Sequence, residues 1–361
     1  MAFFSRDLDT GATPALVDAS HAFLKYCSSD SWLGNSSQVW RGSPFFFHGT
    51  AILVEAVNAL LARGMNKAKL VLFSGCSAGG RGALYNLDGL CKMVRSASPS
   101  VRCFGLGDAA WWMESVFLPS SGEFQSALRQ IAAHARQVWG GSWISQPLWR
   151  CRQQMGTRSL TFPTEGALAT WSPNITHFDR CMFGPALAEH LETPTMLAIS
   201  LNDWFQFDYL AKNYHSIYFG GPHGGPLSQV DLQMMGALRE EFQGSLKKWI
   251  QGSPEEPMRM VFASGCFGHC ITEGPMFGSL RLREGPGKGL SLSEVLSSFL
   301  QGHLTESQEF MEQCQCDTLN CSDGCVPRDL WKVALTMASK YALIPLCLMC
   351  GLSLLCCRRK K

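Results

Sequence analysis

The 361-residue chain has little charge and no surplus of either sign. Charged residues make up 17% of it, with 31 Lys and Arg against 29 Asp and Glu, for a formal charge of +2. A nucleic-acid binder carries a basic excess, so that class is excluded. A disordered chain pairs low hydrophobicity with high net charge. Here 46% of residues are apolar, enough for a large core. Internal repeats and long low-complexity tracts are absent. No signal-like apolar run follows the first residues, Met1-Ala2-Phe3-Phe4-Ser5-Arg6-Asp7. Paired glycines are missing ahead of Ser77, where Gly11, Gly34, Gly42, Gly49, Gly64 and Gly75 stand apart.

What is abundant is cysteine, at sixteen residues. That number points to an oxidising compartment, a metal site or both. Three sequons, Asn35-Ser36-Ser37, Asn174-Ile175-Thr176 and Asn320-Cys321-Ser322, agree with a lumenal or extracellular body. Residues 341–357 (YALIPLCLMCGLSLLCC) carry no charge and lie between Lys340 and the terminal Arg358-Arg359-Lys360-Lys361. This length reaches the short end of the range for a membrane span, about 17–25 residues. The basic tail is then cytoplasmic and everything before the span lumenal or extracellular. The expected organisation is an N-terminal segment over 1–22, a catalytic-size body over 23–307, a cysteine-rich tether over 308–340, a transmembrane helix over 341–357 and a cytoplasmic tail over 358–361.

Within the body, helical and strand character alternate. Residues 50–64 have helix-spaced apolar positions and stop at Gly64, and 78–95 repeat the pattern. Residues 69–73, 195–201 and 258–263 are short continuous apolar runs, as in buried parallel strands. The alternation predicts an α/β fold with a central, mostly parallel sheet flanked by helices.

One segment carries chemistry. Residues 69–90 (KLVLFSGCSAGGRGALYNLDGL) run from a strand into Gly75-Cys76-Ser77-Ala78-Gly79 and then a helix. This is a nucleophile elbow in its strand–turn–helix context. Small residues are needed because strand and helix approach closely there. The elbow lifts the Ser77 hydroxyl above the sheet, and the N–H of Ala78 is the first donor for a developing oxyanion. A serine so placed needs a base, and the base needs an orienting acid, in chain order Ser, Asp or Glu, His. His21 and His48 precede Ser77, and His134 and His177 precede the acid. His190 and His215 sit in or beside helical stretches, and His223 lies in a glycine-rich turn. His269 follows the strand 258–263, where the base belongs. Asp203 follows the strand 195–201, with Asp208 as the alternative inside the next helix. Cys76 is expected to point away from Ser77, toward a packing or disulfide role.

These blocks together resemble the pectin acetylesterase/Notum family of serine esterases, its plant-like branch in particular. The resemblance runs from about Leu24 to Cys325. It rests on Tyr26-Cys27-Ser28-Ser29-Asp30-Ser31-Trp32-Leu33-Gly34, Phe47-His48-Gly49, Gly75-Cys76-Ser77-Ala78-Gly79-Gly80 and Gly107-Asp108-Ala109. It continues in Thr193-Pro194, Asn202-Asp203-Trp204-Phe205-Gln206 and Cys266-Phe267-Gly268-His269-Cys270. It implies an α/β-hydrolase-like fold and metal- and cofactor-free hydrolysis of carboxylic esters. Ser77 would be the nucleophile, Asp203 the acid and His269 the base. The implied substrates are acyl groups on polysaccharide, or a fatty acyl group on a secreted protein, with Trp111 and Trp112 as pocket-lining candidates. The implied partners are that substrate and the membrane, with no nucleic acid.

The chain departs from the family pattern in one place. The second oxyanion donor of the family lies in a Gly-Gly-Gly-Trp-Cys-type block, which this sequence does not contain. The expectation is a piece of a longer esterase, lacking early strands and leader together, or a degenerate member that binds without catalysis. Of the remaining cysteines, Cys314, Cys316, Cys321 and Cys325 have a spacing open to zinc, but disulfides are the plainer reading for a lumenal segment. The same holds for Cys266 and Cys270, which flank His269 and are expected to stiffen its loop.

Overall fold

Two of the five strands of the main sheet are buried along their whole length, and this fixes the layers around them. The structure, a computed structural model, describes residues 13–40, 43–113, 138–139, 141–157, 180–210, 229–252, 257–273, 276–313 and 321–325. The main sheet contains β3 (Leu70–Cys76), β4 (Arg102–Asp108), β5 (Thr195–Asp203), β6 (Arg259–Gly268) and β7 (Gln308–Met311). They lie side by side in chain order and every neighbouring pair is parallel. All nine residues of β5 and all ten of β6 are buried, as a parallel sheet covered on both faces requires. Alternate residues feed opposite cores. Leu197, Ile199, Leu201, Val261 and Ala263 point into one. Met196, Ala198, Met260 and Phe262 point into the other.

Helices cover both faces. α1 (Gly49–Ala62) is followed by Gly64 at φ 113°, the left-handed residue that ends it. α2 (Ala78–Ala97) packs on β3 and β4, and the helix Gln229–Ile250 packs on β5, β6 and β7. On the other face Leu292–Gln301 opens with a capping box between Ser291 and Glu294 and sets Phe299 edge-on against Phe104, at 5.1 Å. An antiparallel hairpin, β1 (Ser36–Trp40) with β2 (Ser43–Phe47), stands apart from the main sheet. Before it, the buried Asp30 carboxylate organises the Ser28–Gly34 loop. It accepts from Ser28 Oγ (2.5 Å), Trp32 N (2.9 Å), Gly34 N (3.0 Å) and Gly49 N (2.8 Å). The loop is thereby tied to the start of α1, and Asn86 on α2 donates to its Trp32 carbonyl.

The predicted strands at 69–73, 195–201 and 258–263 and the helices at 50–64 and 78–95 are all present, within a few residues of their expected ends. The C-terminal boundary differs. Residues 308–311, expected in a tether, pair with β6 as the fifth strand, and Cys325 is disulfide-bonded to Cys266 within β6. The folded unit therefore continues through Cys325. The proposed span at 341–357 lies outside the described residues. Among those described, no helix is long and apolar enough to cross a membrane.

Candidate active site

Ser77 sits at the junction of β3 and α2, with φ 54° and ψ −118°. An L-residue held at positive φ in this region is strained by about 1–3 kcal/mol, which the surrounding packing must sustain. Here the packing is tight. A Cβ on Gly75 would lie 2.5 Å from the Gly79 backbone, and one on Gly80 would lie 2.7 Å from the carbonyls of Gly75 and Asp108. Gly79 differs from expectation, since a Cβ there would meet nothing within 4 Å. The close approach of helix to strand is made by Gly80, one residue beyond the five-residue motif. The Ser77 N–H donates to the Asp108 carbonyl at 2.8 Å, which locks the elbow to β4. Ala78 is the first residue of α2, so its N–H has no acceptor within the helix and carries the positive end of the helix dipole.

Asp203 is the last residue of β5, beyond a register irregularity between Ser200 and Asn202 that re-aims the strand end. Its carboxylate is 2% exposed and accepts from Phe205 N (2.9 Å), Gln206 N (3.2 Å) and Gln206 Nε2 (3.1 Å). It thus caps the helix Trp204–Leu210 while facing His269, whose Nδ1 lies 2.9 and 3.0 Å from its two oxygens. Asp208 lies inside that helix. His269 follows directly on β6. Its ring stacks on Phe205 at 4.7 Å and meets Trp204 edge-on at 5.6 Å. With Nδ1 committed to the carboxylate, Nε2 is left buried and, among the described residues, without a hydrogen-bond partner, Ser77 Oγ included. Burial pushes the imidazole pKa down, but the charge and hydrogen bond of Asp203, with Asp108 behind, outweigh it. The net shift is upward.

The serine and histidine loops are joined covalently. Cys76, one residue before Ser77, is disulfide-bonded to Cys270, one residue after His269, with Cα atoms 5.7 Å apart. A His269 ring nitrogen and the two sulfurs lie within 4.8 Å of one another. This grouping has the look of a metal site, but both sulfurs are spent on the S–S bond and offer no thiolate. Cys266, expected to stiffen the same loop, does so by bonding Cys325. Cys91–Cys103 and Cys151–Cys181 complete the disulfides whose partners are both described. Bonds of this number belong to an oxidising compartment.

The two tryptophans part company. Trp111 is fully buried, its indole donating to Ser245 Oγ at 3.1 Å and its ring packed on Trp249. It borders a cavity of about 290 Å³ with Trp249, Arg259 and His190. Trp112 lies against Phe205, the ring under His269, and carries the Arg81 guanidinium 3.6 Å above its own ring. Arg81 and Asp108 were given no role by the sequence pattern. Both lie inside motifs already noticed, Arg81 just past the elbow glycines and Asp108 in Gly107-Asp108-Ala109.

The pectinacetylesterase family model matches residues 6–325. The chain belongs to the pectinacetylesterase family. Among curated members and relatives, it is 31% identical over 264 residues to the palmitoleoyl-protein carboxylesterase notum2 of Xenopus laevis, covering 72% of this chain and 46% of that one. It is 36% identical over 257 residues to notum1 of the same species, covering 71% and 45%. The chain therefore spans about half the length of the curated relatives it matches. The solved structure of the Wnt deacylase Notum from Drosophila superposes with a TM-score of 0.62 at 19% identity, over 86% of this chain and 75% of that one. That likeness shows the α/β-hydrolase-like fold of this chain.

Proposed function

We propose that this chain is a serine carboxylester hydrolase in which Ser77 is the nucleophile, His269 the base and Asp203 the acid. The observation that carries the reading is the contrast between the two ring nitrogens of His269. Nδ1 is held by a buried carboxylate, and Nε2 has no partner among the described residues, on a loop stapled to the serine elbow. Asp203 fixes the tautomer with its proton on Nδ1, so Nε2 is the nitrogen that accepts. Ser77 Oγ attacks the ester carbonyl carbon as its proton passes to Nε2. The carbonyl oxygen becomes an oxyanion facing the Ala78 N–H. Collapse expels the alcohol, which takes the proton from His269 and leaves an acyl-Ser77. Water, deprotonated by Nε2, then releases the acid. No metal or cofactor enters these steps.

The substrate class we infer is an acyl ester on polysaccharide, as the family name implies, with Trp112 beside the reacting centre. Trp111, being interior, shapes the core behind it. A fatty-acyl protein substrate is the second reading. It is favoured by the relatives, which are described as palmitoleoyl-protein carboxylesterases. We further infer a lumenal or extracellular domain, a span at 341–357 and a cytoplasmic tail at 358–361.

One preparation tests both parts. Carbonate-washed membranes from cells expressing the full-length chain should hydrolyse p-nitrophenyl acetate or octanoate, the better ester marking the acyl length. Ser77→Ala should lose at least about 10³-fold. Equal rates for the two proteins would remove the esterase reading. Ser77-dependent activity released into the carbonate wash would remove the span.

A further inference from the structure

Asp108 ends β4 as Asp203 ends β5, and it touches both halves of the proposed site. Its main-chain carbonyl accepts the Ser77 N–H at 2.8 Å. Its side chain, completely buried, reaches the other way, to the loop just after His269. There it accepts from Ile271 N (3.2 Å), Thr272 N (2.8 Å) and Thr272 Oγ1 (2.6 Å). A fully buried carboxylate is costly to desolvate, and three donors from one short loop are a large investment for a turn that the Cys76–Cys270 bond already holds.

We propose that Asp108 is a positioning residue for the esterase reaction: it sets the His269 loop against the serine elbow and places a second carboxylate behind the imidazole. The inference rests on the esterase reading of Ser77, Asp203 and His269. Physically, the disulfide limits the separation of the two loops but leaves rotation about its single bonds. The three hydrogen bonds remove that freedom and so fix the direction of Nε2. The charge acts in the same sense as that of Asp203, favouring the imidazolium that forms when Ser77 gives up its proton. Burial is the main influence on Asp108 itself and drives its pKa up to about 7, against the three donors and the nearby His269, which pull it down. The group is therefore sensitive to the charge state of His269 near neutrality.

The facing groups set the sign of the pH effect. Asp203 and Asp108 raise the pKa of His269, while burial and the Arg81 cation lower it. An imidazole must be neutral to act as base, so kcat/KM rises with pH as His269 deprotonates. Removing the Asp108 charge lets the proton leave more easily and moves that rising limb to lower pH.

The test is Asp108→Asn in the full-length chain, read by ester kinetics and by NMR titration of the His269 ring, assigned by comparison with His269→Gln. The expected result is a fall in kcat of about 10- to 100-fold, the scale of a misplaced reacting group. KM should be nearly unchanged, and both the kinetic limb and the NMR titration should move to lower pH. A fall in kcat with an unmoved His269 titration would mean a merely structural role and overturn the proposal, as would parent-like values of both. If Asp108→Asn does not fold, Thr272→Val deletes the 2.6 Å bond while keeping the charge. It should still lower kcat about 10-fold, and a parent-like kcat would overturn the proposal. The NMR reading needs no turnover. An inactive parent with a shifted titration would remove the esterase reading and leave the Asp108–His269 coupling standing.

Discussion

At the scale of single residues, the site depends on which atoms are crowded and which are not. The five-residue elbow motif has two glycines, yet only Gly75 is enclosed, and the second enclosed position is Gly80. Ala at Gly79 should therefore be tolerated and even stabilise, since replacing Gly in a helix with Ala typically gains up to ~1 kcal/mol. Ala at Gly80 must push into the Gly75 and Asp108 carbonyls and should cost about 1–3 kcal/mol, the range of overpacking. Thermal unfolding of the two variants checks this, and a Gly79→Ala protein less stable than Gly80→Ala would contradict the packing described. Ser77, Asp203 and His269 could be proposed from sequence because each lies at the end of a recognisable strand. Asp108 was visible only as part of the Gly107-Asp108-Ala109 block of the family resemblance, on a strand broken up by Gly105 and Gly107, so no strand end marked it.

At the scale of elements, legibility followed apolar continuity. β3, β5 and β6 each contain a short apolar run and were predicted. β7, with the sequence QEFM, is four residues long and half polar, and it is a strand only because β6 offers it a ladder. The pairing of cysteines was likewise hidden, because it depends on loops 194 residues apart in sequence meeting at the sheet end. That bond has a testable consequence. Cys76 and Cys270 are partly exposed, whereas Cys91, Cys103, Cys151 and Cys181 are buried. Joint replacement of Cys76 and Cys270 by Ser should leave the β-sheet core folded, cost roughly 2–5 kcal/mol of stability, and reduce esterase activity more than it reduces the folded fraction. Circular dichroism beside ester kinetics measures both, and unchanged activity in the folded double variant would show that the staple does not orient the histidine loop.

At the scale of the whole molecule, the fold explains why so much cysteine accompanies so little charge. A sheet buried on both faces supplies the core, and cross-links from α2 to β4, from the elbow to the histidine loop and from β6 to Cys325 hold the irregular segments that surround the site. Ser77, Asp203 and His269 lie at the C-terminal ends of the parallel strands β3, β5 and β6, so one end of the sheet gathers what lies far apart in the chain. The central claim is that Ser77 is a nucleophile activated by His269. Its most direct test is to treat the full-length protein with a fluorophosphonate and map the adduct by peptide mass spectrometry. The account predicts phosphonylation on Ser77 in the parent and its near-complete loss in His269→Ala. An unmodified Ser77 in the folded parent, or equal modification in the two proteins, would contradict it.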